Sequence, residues 1–594
     1  VQFRTEVPYN FNEALTYRIT ATAGKHSDGE ERTLPVLTNR ALVTESLPLT
    51  LQGSSTRNFK MESLLQSAKS QTLTHHRFTV EFTSNPVWYA VQALPYLMEQ
   101  PDENAVQLWN RFYANALALH IVEKLPRIRS IFERWQTTDT TALLSNLQKN
   151  ESLKNALLQE TPWVLQARSE SEQKKQVALL FNLVRMAAEL QRSLQLLQQY
   201  QTANGGFMWL KGGPDDRYVT QYILSGIGHL KHLNALPNNE QHLLHTITQK
   251  AMAYLDLRIK DDYAQLLQSK IKLQQPHINN LQIQYLYLRS FFNTIPVTKG
   301  CETAFRFYLQ QGRTYWLQQP RYLQGMLALA LHRSGNKTTA TAIVRSLEEN
   351  AIHHAEMGMY WKEWNAGYYW YQAPIEAQAL MIEVFHEVAK DQQSVNALKT
   401  WLLRQKQVQH WRSSRATAEA CYALLLQGTQ WMDADAEVTI KAGNQIFQSL
   451  SEKTETGTGY FQRSLPGHQV APELGNIQVT VRHSTAQPGW GAAYWQYFEN
   501  LDQIQNAHTS LQLEKKYFVK QNTPNGPVLM PYEDGDVLQV GDRIVVRLVL
   551  RTDRNLEYVH LKDMRPSCLE PVDVISGYRW QNALGYYQSV NDAS

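Results

Sequence analysis

The spacing of apolar and polar residues divides the chain into a β-rich beginning, a long helical middle and a β-rich end. Apolar and polar side chains alternate with a period of two, which is typical of half-buried strands, in residues 15–22, 76–83, 437–441, 477–482 and 543–550. Two polar, glycine-containing stretches, residues 24–31 and 53–56, are predicted to be turns.

The middle of the chain has a different period. Between about residues 85 and 430, apolar residues recur at steps of three and four, as they do in residues 110–122. Ala, Leu, Gln, Glu and Lys dominate this part, and all are good helix formers. A run of helices this long exceeds a simple bundle, which favours a repeat architecture.

A weak repeat supports that interpretation. In each copy a turn with a Trp precedes a helix that opens with a Thr or Glu and small residues. The turn and helix pairs are residues 204–209 with 218–224, 357–361 with 375–380, and 410–414 with 417–424. Helix pairs stacked in this way can close into an α/α toroid. Since the β segments flank the helices, we expect them to share a domain into which the helical block is inserted.

Composition and charge exclude several classes of protein. Hydrophobic residues make up 43% and charged residues 19%, and the formal net charge is +4. A charge this small over 594 residues predicts no nucleic-acid partner. No apolar run reaches the ~18 residues of a transmembrane helix. The cysteines, Cys301, Cys421 and Cys568, have spacings that match neither a disulfide framework nor a zinc site.

The candidate ligand clusters have simpler interpretations. The paired histidines, His75–His76 and His353–His354, diverge on a strand or a helix, so neither pair makes a metal site alone. Asp215 and Asp216 follow a Gly-Gly-Pro turn, and we interpret them as the acidic start of a helix. The sequence therefore predicts no metal and no cofactor.

Residues 85–99 and 103–115 resemble the start of the thioester domain of the bacterial α2-macroglobulins. Further stretches resemble the same family in the same order, and these are residues 161–165, 204–222, 369–380 and 411–426. Near the end, residues 557–563 and 570–572 resemble the family's last macroglobulin-like β domain.

The resemblance implies a multidomain α and β protein. It would contain a thioester-type α/α toroid inserted in a CUB-like β domain, flanked by macroglobulin-like β-sandwich segments. The implied domains are 1–40, the end of a macroglobulin-like domain; 41–84 and 431–507, the two parts of the CUB-like domain; 85–430, the toroid; and 508–594, a truncated macroglobulin-like β-sandwich. Val1 is not an initiator, so we expect the chain to be a fragment or a processed product. The resemblance implies further macroglobulin-like domains upstream in the same polypeptide.

The resemblance also locates a reactive centre, and there this chain departs from the family. The family motif is Cys-x-Glu-Gln, whose Cys and Gln side chains form an internal thioester. The corresponding residues here are Asn104, Ala105, Val106 and Gln107, so Gln107 remains but the sulfur is absent. We predict no thioester, because an amide is no nucleophile. Cys301 and Cys421 are predicted to be buried structural thiols.

We call Asn104, Val106 and Gln107 the thioester remnant. It also has a structural interpretation, in which the side chains of Asn104 and Gln107 hydrogen-bond to helix ends. Asp102 would then cap a helix that begins at residue 103. An aromatic set offers a candidate surface for a peptide or a glycan: Trp209, Trp361, Trp364, Tyr369 and Trp370. The alternative is that these rings plug the ends of helices.

The resemblance implies an endopeptidase inhibitor that meets peptidases or other proteins in the periplasm, at the outer membrane or at the cell surface. Without a thioester, it would act by non-covalent trapping or protein binding and would not be an enzyme. Two alternatives stay open. One is an adhesion or scaffolding module. The other is a carbohydrate-active α/α-toroid enzyme, for which Glu356, Glu363 and Glu376 are candidate carboxylates.

Overall fold

The molecule is described by a computed structural model. The structure describes residues 14–35, 40–85, 88–98, 104–124, 183–269, 272–354, 356–362, 373–406, 411, 413–426, 436–451, 454, 459–482, 488–504, 511–552, 559, 561, 563, 565–566, 569–572, 575–581 and 584–588. The stretches 161–165 and 557–558, which carry part of the family resemblance, lie outside these ranges.

The described residues form a mixed α and β structure. The α-helices are α1 Glu62–Leu65, α2 Trp88–Met98, α3 Ala105–Lys124, α4 Leu183–Gln198, α5 Arg217–His232, α6 Gln241–Gln268, α7 Asn280–Arg289, α8 Glu302–Tyr315, α9 Arg321–Arg333, α10 Lys337–Glu349, α11 Pro374–Val384, α12 Gln392–Arg404 and α13 Ser414–Leu425. The strands of the first half are β1 Ala14–Ala23, β2 His26–Pro35, β3 Arg40–Gln52, β4 Ser55–Lys60, β5 Thr74–Thr83, β6 Phe207–Met208, β7 Asp215–Asp216, β8 Ile352–His354 and β9 Gly358–Tyr360. Those of the second half are β10 Glu437–Ala442, β11 Gln445–Gln448, β12 Phe461–Pro466, β13 Asn476–Arg482, β14 Pro488–Asn500, β15 Leu511–Thr523, β16 Gly526–Pro531, β17 Arg543–Thr552, β18 Gly577–Gln581 and β19 Leu584–Gln588.

Strands from before and after the helices pair in the same sheets. One four-stranded sheet has the order β11-β10-β13-β4, and another has the order β12-β5-β14-β3. In the first, Val479 of β13 lies opposite Ile440 of β10 on one side and Arg57 of β4 on the other. The alternating pattern of these strands is reflected in burial, since Val438, Ile440 and Ala442 of β10 are fully buried.

The helices between these strands contact one another in a closed cycle. Among the described helices, each of α3, α5, α7, α9, α11 and α13 contacts the next, and α13 contacts α3. We call these six the inner helices. A second set packs on their outside: α4 on α3, α6 on α5, α8 on α7, α10 on α9, and α12 on α11, while α2 contacts both α3 and α13.

Two predicted turns are wrong in their extent. Only Gly24 and Lys25 form the first turn, and β2 begins at His26 and pairs with β1 along its length. Gly24 has a φ of +61°, which lets a two-residue turn reverse the chain. The second turn is also short, since β4 begins at Ser55. Polar composition misled the prediction because both strands are largely exposed.

The chain divides into two compact units. One comprises residues 1–45, 70–76 and 496–594, and the other comprises residues 46–69 and 77–495. The first unit includes the three-stranded sheet β16-β15-β17 and the hairpins β1-β2 and β18-β19. The second unit contains the six inner helices and the helices packed on them.

Candidate functional site

Asn104 and Gln107 hydrogen-bond to each other at the start of α3. The backbone N–H of Gln107 donates to Oδ1 of Asn104 at 3.0 Å. This leaves Nδ2 of Asn104 as a donor, and it donates to Oε1 of Gln107 at 2.7 Å. Asn104 thus caps the helix in the position predicted for Asp102, which lies outside the described residues. The helix begins at Ala105, two residues later than predicted.

The remnant lies next to the loop that carries Trp209. The backbone N–H of Ala105 donates to the carbonyl of Trp209 at 3.0 Å, so this loop closes the first turn of α3. The Trp209 side chain is 44% exposed, and its ring stacks on Tyr218 with centroids 6.4 Å apart. Val106 is half-buried and packs against the helical core. Of the predicted site residues, the structure therefore brings together Asn104, Val106, Gln107 and Trp209.

Trp361 lies elsewhere and offers no surface. It is 1% exposed, and its indole N–H donates to the carbonyl of Leu347 in the last turn of α10 at 2.9 Å. Trp411 does the same for α12, donating to the carbonyl of Leu402 at 2.7 Å. Both rings thus lie at the ends of outer helices. Trp364, Tyr369 and Trp370 lie outside the described residues.

The cysteines that the structure describes are buried thiols. Cys301 and Cys421 are each 0% exposed and are free of disulfides. Sγ of Cys421 lies 3.5 Å from the carbonyl of Ala90 on α2, and burial raises the pKa of this thiol to about 12. Cys421 therefore stays protonated and weakly nucleophilic near neutral pH. Cys568 lies outside the described residues.

Two buried polar networks join the inner helices, and sequence patterns gave no signal for either. The first is centred on Arg415 of α13. Its guanidinium donates to the hydroxyls of Tyr218 on α5 at 2.9 Å and Tyr322 on α9 at 3.2 Å. Its Nε lies 3.9 Å from a carboxylate oxygen of Glu376 on α11. Burial by itself would lower the pKa of Arg415. The neighbouring groups Tyr218, Tyr322, Glu376 and Glu419 have a larger, opposite effect, so the pKa is raised.

The second network is centred on Glu383, which follows Glu376 along α11. This carboxylate is 1% exposed and accepts hydrogen bonds from Arg333 of α9 at 2.6 Å, Tyr287 of α7 at 2.6 Å and Tyr422 of α13 at 2.7 Å. Arg333 also contacts Glu387. Burial opposes ionisation of Glu383, but Arg333 more than compensates and lowers its pKa.

His229 of α5 joins the Glu383 network to a further carboxylate, that of Glu419. Its Nε2 lies 2.9 Å from the Tyr287 hydroxyl, whose proton is given to Glu383, so His229 is the donor. Its Nδ1 lies 3.8 Å from Glu419 of α13, and its ring stacks on Tyr422 at 3.8 Å. Burial lowers the pKa of His229 to about 3 and raises that of Glu419 to about 8. Both groups are therefore neutral near pH 7.

These carboxylates bear on the enzyme alternative. A glycosidase needs two carboxyl groups flanking a space large enough for a sugar. The cavity beside Glu419 has a volume of about 10 Å³, and its walls include His229, Tyr113 and Trp109. That space holds about one water molecule. Glu376 is bound by Arg415, and Glu363 lies outside the described residues. Within the described ranges, no group of three His, Cys, Asp or Glu side chains could hold a metal ion.

The last segment of the chain matches a known protein family. Residues 511–594 match the family described as the bacterial alpha-2-macroglobulin MG10 domain. Over these residues the resemblance to bacterial α2-macroglobulins is confirmed. The matched segment begins at the first residue of β15 and includes the sheet β16-β15-β17 and the hairpin β18-β19.

Solved structures of bacterial alpha-2-macroglobulins are similar to the chain. An Escherichia coli protein activated by porcine elastase is 14% identical, with a TM-score of 0.41, 91% of this chain covered and 39% of that one. A Salmonella mutant is 14% identical, with a TM-score of 0.37 and coverages of 91% and 29%. Native Escherichia coli protein from domain MG7 to the C-terminus is 13% identical, with a TM-score of 0.35 and coverages of 85% and 66%.

The chain therefore spans less than two thirds of the length of each of these three proteins. Among curated proteins, no sequence matches the chain. Among the helices of the described ranges, none combines the length and the apolar character needed to cross a membrane.

Proposed function

We propose that this chain is part of an α2-macroglobulin-like endopeptidase inhibitor that works without a thioester, by non-covalent trapping or by binding other proteins. The observation that carries the proposal is the pair of amides at the start of α3. Where the family resemblance places a thioester, Asn104 and Gln107 are joined by a 2.7 Å hydrogen bond. The MG10 match at residues 511–594 supports the family assignment.

The proposal includes the domain organisation expected from the sequence. Residues 85–430 would be the α/α toroid, which the closed cycle of contacts among the inner helices supports. Residues 41–84 and 431–507 would form the CUB-like domain, supported by the sheets that these segments share. Residues 1–40 would end a preceding macroglobulin-like domain, and 508–594 would form the last one. Further macroglobulin-like domains would precede them in the periplasm or at the cell surface.

The absence of covalent chemistry can be tested at Gln107. An internal thioester forms when the Cys thiolate attacks the Gln carboxamide, which makes the S–C bond and releases ammonia. Methylamine then attacks the thioester carbonyl and displaces the thiolate. We expect no methylamine at Gln107 in the wild-type protein by peptide mass spectrometry. Asn104→Cys is the matched control, because it restores the sulfur. Incorporation into the wild-type protein would contradict the proposal.

Trapping is tested with the full natural polypeptide and several endopeptidases. A trapped peptidase still cleaves a small chromogenic substrate but no longer digests a large protein. We expect that difference to appear in the wild-type protein and to persist after methylamine treatment. Equal activity on both substrates with and without the protein would favour the adhesion alternative. Release of reducing sugars from polysaccharides would favour the enzyme alternative.

A further inference from the structure

The sequence contains two Asn-Gly dipeptides, Asn204-Gly205 and Asn525-Gly526, and they lie in different surroundings. An Asn followed by Gly can react with its own backbone, because Gly has no Cβ to hinder the approach. The Gly nitrogen bonds to the carboxamide carbon of the Asn, its proton passes to the departing amino group, and ammonia leaves. Water then opens the resulting five-membered succinimide ring at either carbonyl, which gives Asp or isoaspartate.

The rate of this reaction depends on the local freedom of the chain. The carboxamide must turn toward the nitrogen of the next residue, and that nitrogen must be free of other hydrogen bonds. A folded segment that holds either group slows the reaction by the free energy needed to open the segment locally. Since both dipeptides have the same reacting groups, their different surroundings should determine their rates.

Asn525-Gly526 lies at the exposed end of the hairpin β15-β16. Pro524 and Asn525 form the two-residue turn, and Thr523 and Gly526 are the first pair of the ladder beyond it. The Asn525 side chain is exposed and makes no hydrogen bond within the described part of the chain. The hydroxyl of Thr523 donates to the carbonyl of Gly526 at 2.6 Å, which engages the oxygen of Gly526 and not its nitrogen. Only the end of the hairpin must therefore open for the reaction.

Asn204 is also exposed, but hydrogen bonds hold both of its reacting groups. Oδ1 of Asn204 accepts from the backbone N–H of Gly206 at 3.0 Å and from the hydroxyl of Thr202 at 2.5 Å. Its Nδ2 donates to Asp215 at 3.2 Å. The attacking atom is engaged as well, because the N–H of Gly205 donates to the carbonyl of Thr202 at 3.0 Å.

The two glycines differ in packing in the same way. Gly205 is buried, and a Cβ there would lie 2.2 Å from the carbonyl oxygen of Lys250 on α6. A Cβ on Gly526 would meet no described atom within 4 Å. Ring closure at Gly205 would thus require the loop to move away from α6, whereas the turn at Gly526 has open space around it.

We propose that Asn525 is a site of spontaneous deamidation, which converts the turn of the hairpin β15-β16 to Asp and isoaspartate, while Asn204 is protected. Both products add a negative charge. Isoaspartate also places an extra methylene in the main chain, and the register of a hairpin depends on the length of its turn. The isoaspartate form is therefore expected to pair β15 with β16 less stably.

Peptide mass spectrometry on the 594-residue chain tests the proposal. The protein is incubated near neutral pH, sampled over time and digested in mildly acidic buffer, in which ring closure is slow. We expect deamidation at Asn525 to be at least about tenfold faster than at Asn204, because the Asn204 loop must open first. An isoaspartyl methyltransferase should label the peptide that contains position 525.

Three controls separate the effect of structure from that of sequence. In denaturant neither dipeptide is held, so the two rates should come within about threefold of each other. Asn525→Gln should remove the fast signal, because a Gln side chain would have to close a larger ring. Thr202→Val removes one hydrogen bond to Asn204 and should speed deamidation there.

Two outcomes would overturn the proposal. One is a rate at Asn204 in the folded chain that equals or exceeds the rate at Asn525, which would mean that the hydrogen bonds of the Asn204 loop give no protection. The other is the formation of Asp at position 525 without isoaspartate, which would mean that water hydrolyses the side chain directly and that no ring forms.

Discussion

At the scale of single residues, the start of α3 shows how one Asn side chain can satisfy a helix terminus. Asn104 satisfies the N–H of Gln107 and also binds its side chain. A helix leaves its first N–H groups without partners inside the helix, and a short polar side chain before the helix supplies one. Asn at this position therefore contributes to stability, whereas Cys is a poor cap.

The capping role predicts a small, specific loss of stability. Asn104→Ala removes the acceptor for the Gln107 N–H and should lower the free energy of unfolding by about 1 kcal/mol. Asn104→Asp keeps that acceptor and should lose less, although its carboxylate cannot donate to Gln107 Oε1. Chemical denaturation followed by tryptophan fluorescence measures both. Equal losses in the two variants would contradict the role of Oδ1 as the cap.

At the scale of elements, two copies of the repeat pair an outer helix with a Trp from a loop. Trp361 and Trp411 donate to the last turns of α10 and α12, where carbonyl groups have no partners within the helix. The copy at residues 204–209 differs, because Trp209 is exposed while Phe207, two residues earlier, is buried. The backbone N–H of Phe207 donates to the hydroxyl of Thr220 at 2.8 Å. The sequence pattern located all three loops but not this difference.

This difference predicts unequal effects of the same substitution. Trp411→Phe removes the N–H that satisfies the buried carbonyl of Leu402, which should cost about 1–3 kcal/mol of unfolding free energy. Trp209→Phe changes an exposed ring and should stay within about 0.5 kcal/mol of the wild-type protein. The same denaturation measurement compares them. A larger loss in Trp209→Phe would show that the loop positions are misassigned.

At the scale of the molecule, the polar networks of the second unit tie helices that are far apart in the sequence. Arg415 links α13 to α5, α9 and α11, and Glu383 links α11 to α7, α9 and α13. Buried charges are tolerated only when they are paired. The closed contacts of the inner helices and the pairing of these charges therefore depend on each other.

Breaking the Glu383 network should be costly. Arg333→Met leaves a 1% exposed carboxylate without its cation and should lower the free energy of unfolding by about 3–5 kcal/mol. Arg345→Met, on the exposed face of α10, is the control and should stay within about 0.5 kcal/mol. Thermal and denaturant unfolding measure both variants. Similar small losses in the two would mean that the network does not hold the inner helices together.

Glu419 predicts a pH dependence with a defined sign. Its pKa of about 8 in the folded protein lies above its ordinary value of 4.5, so the folded state holds a proton that the unfolded state releases. Stability should therefore fall as the pH rises from 4.5 to 8, with a slope of at most ~1.4 kcal/mol per pH unit. The side chain retains 17% exposure, which favours a smaller slope.

His229 changes stability in the opposite sense. Its pKa of about 3 lies below its ordinary value of 6.5, so its contribution is lost as the pH falls from 6.5 to 3. The two slopes oppose each other between pH 4.5 and 6.5. Above pH 6.5 the fall due to Glu419 continues, and from about pH 7 it is opposed by Lys399, whose pKa is lowered by burial to about 7. Unfolding curves of Glu419→Gln should lack that fall. The exposed Glu349→Gln is the control, and parallel curves for all three proteins would exclude the effect.

The sequence alone specifies the order of β, α and β segments, the strands at residues 15–22 and 543–550, and the absence of a sulfur at position 104. These features depend on local side-chain periodicity and on residue identity, which one chain displays directly. Its prediction of turns was less accurate, because an exposed polar strand such as β2 has the composition of a loop.

Which polar residues meet depends on how the whole chain folds. Arg415 and Tyr218 are 197 positions apart, and Tyr287 and Glu383 are 96 apart, so no local pattern connects them. The same holds for burial of Trp361 and exposure of Trp209, which depend on where each loop meets its outer helix. Long-range packing brings these groups together, because the free energy of burying a charge or a ring depends on neighbours that the linear sequence does not specify.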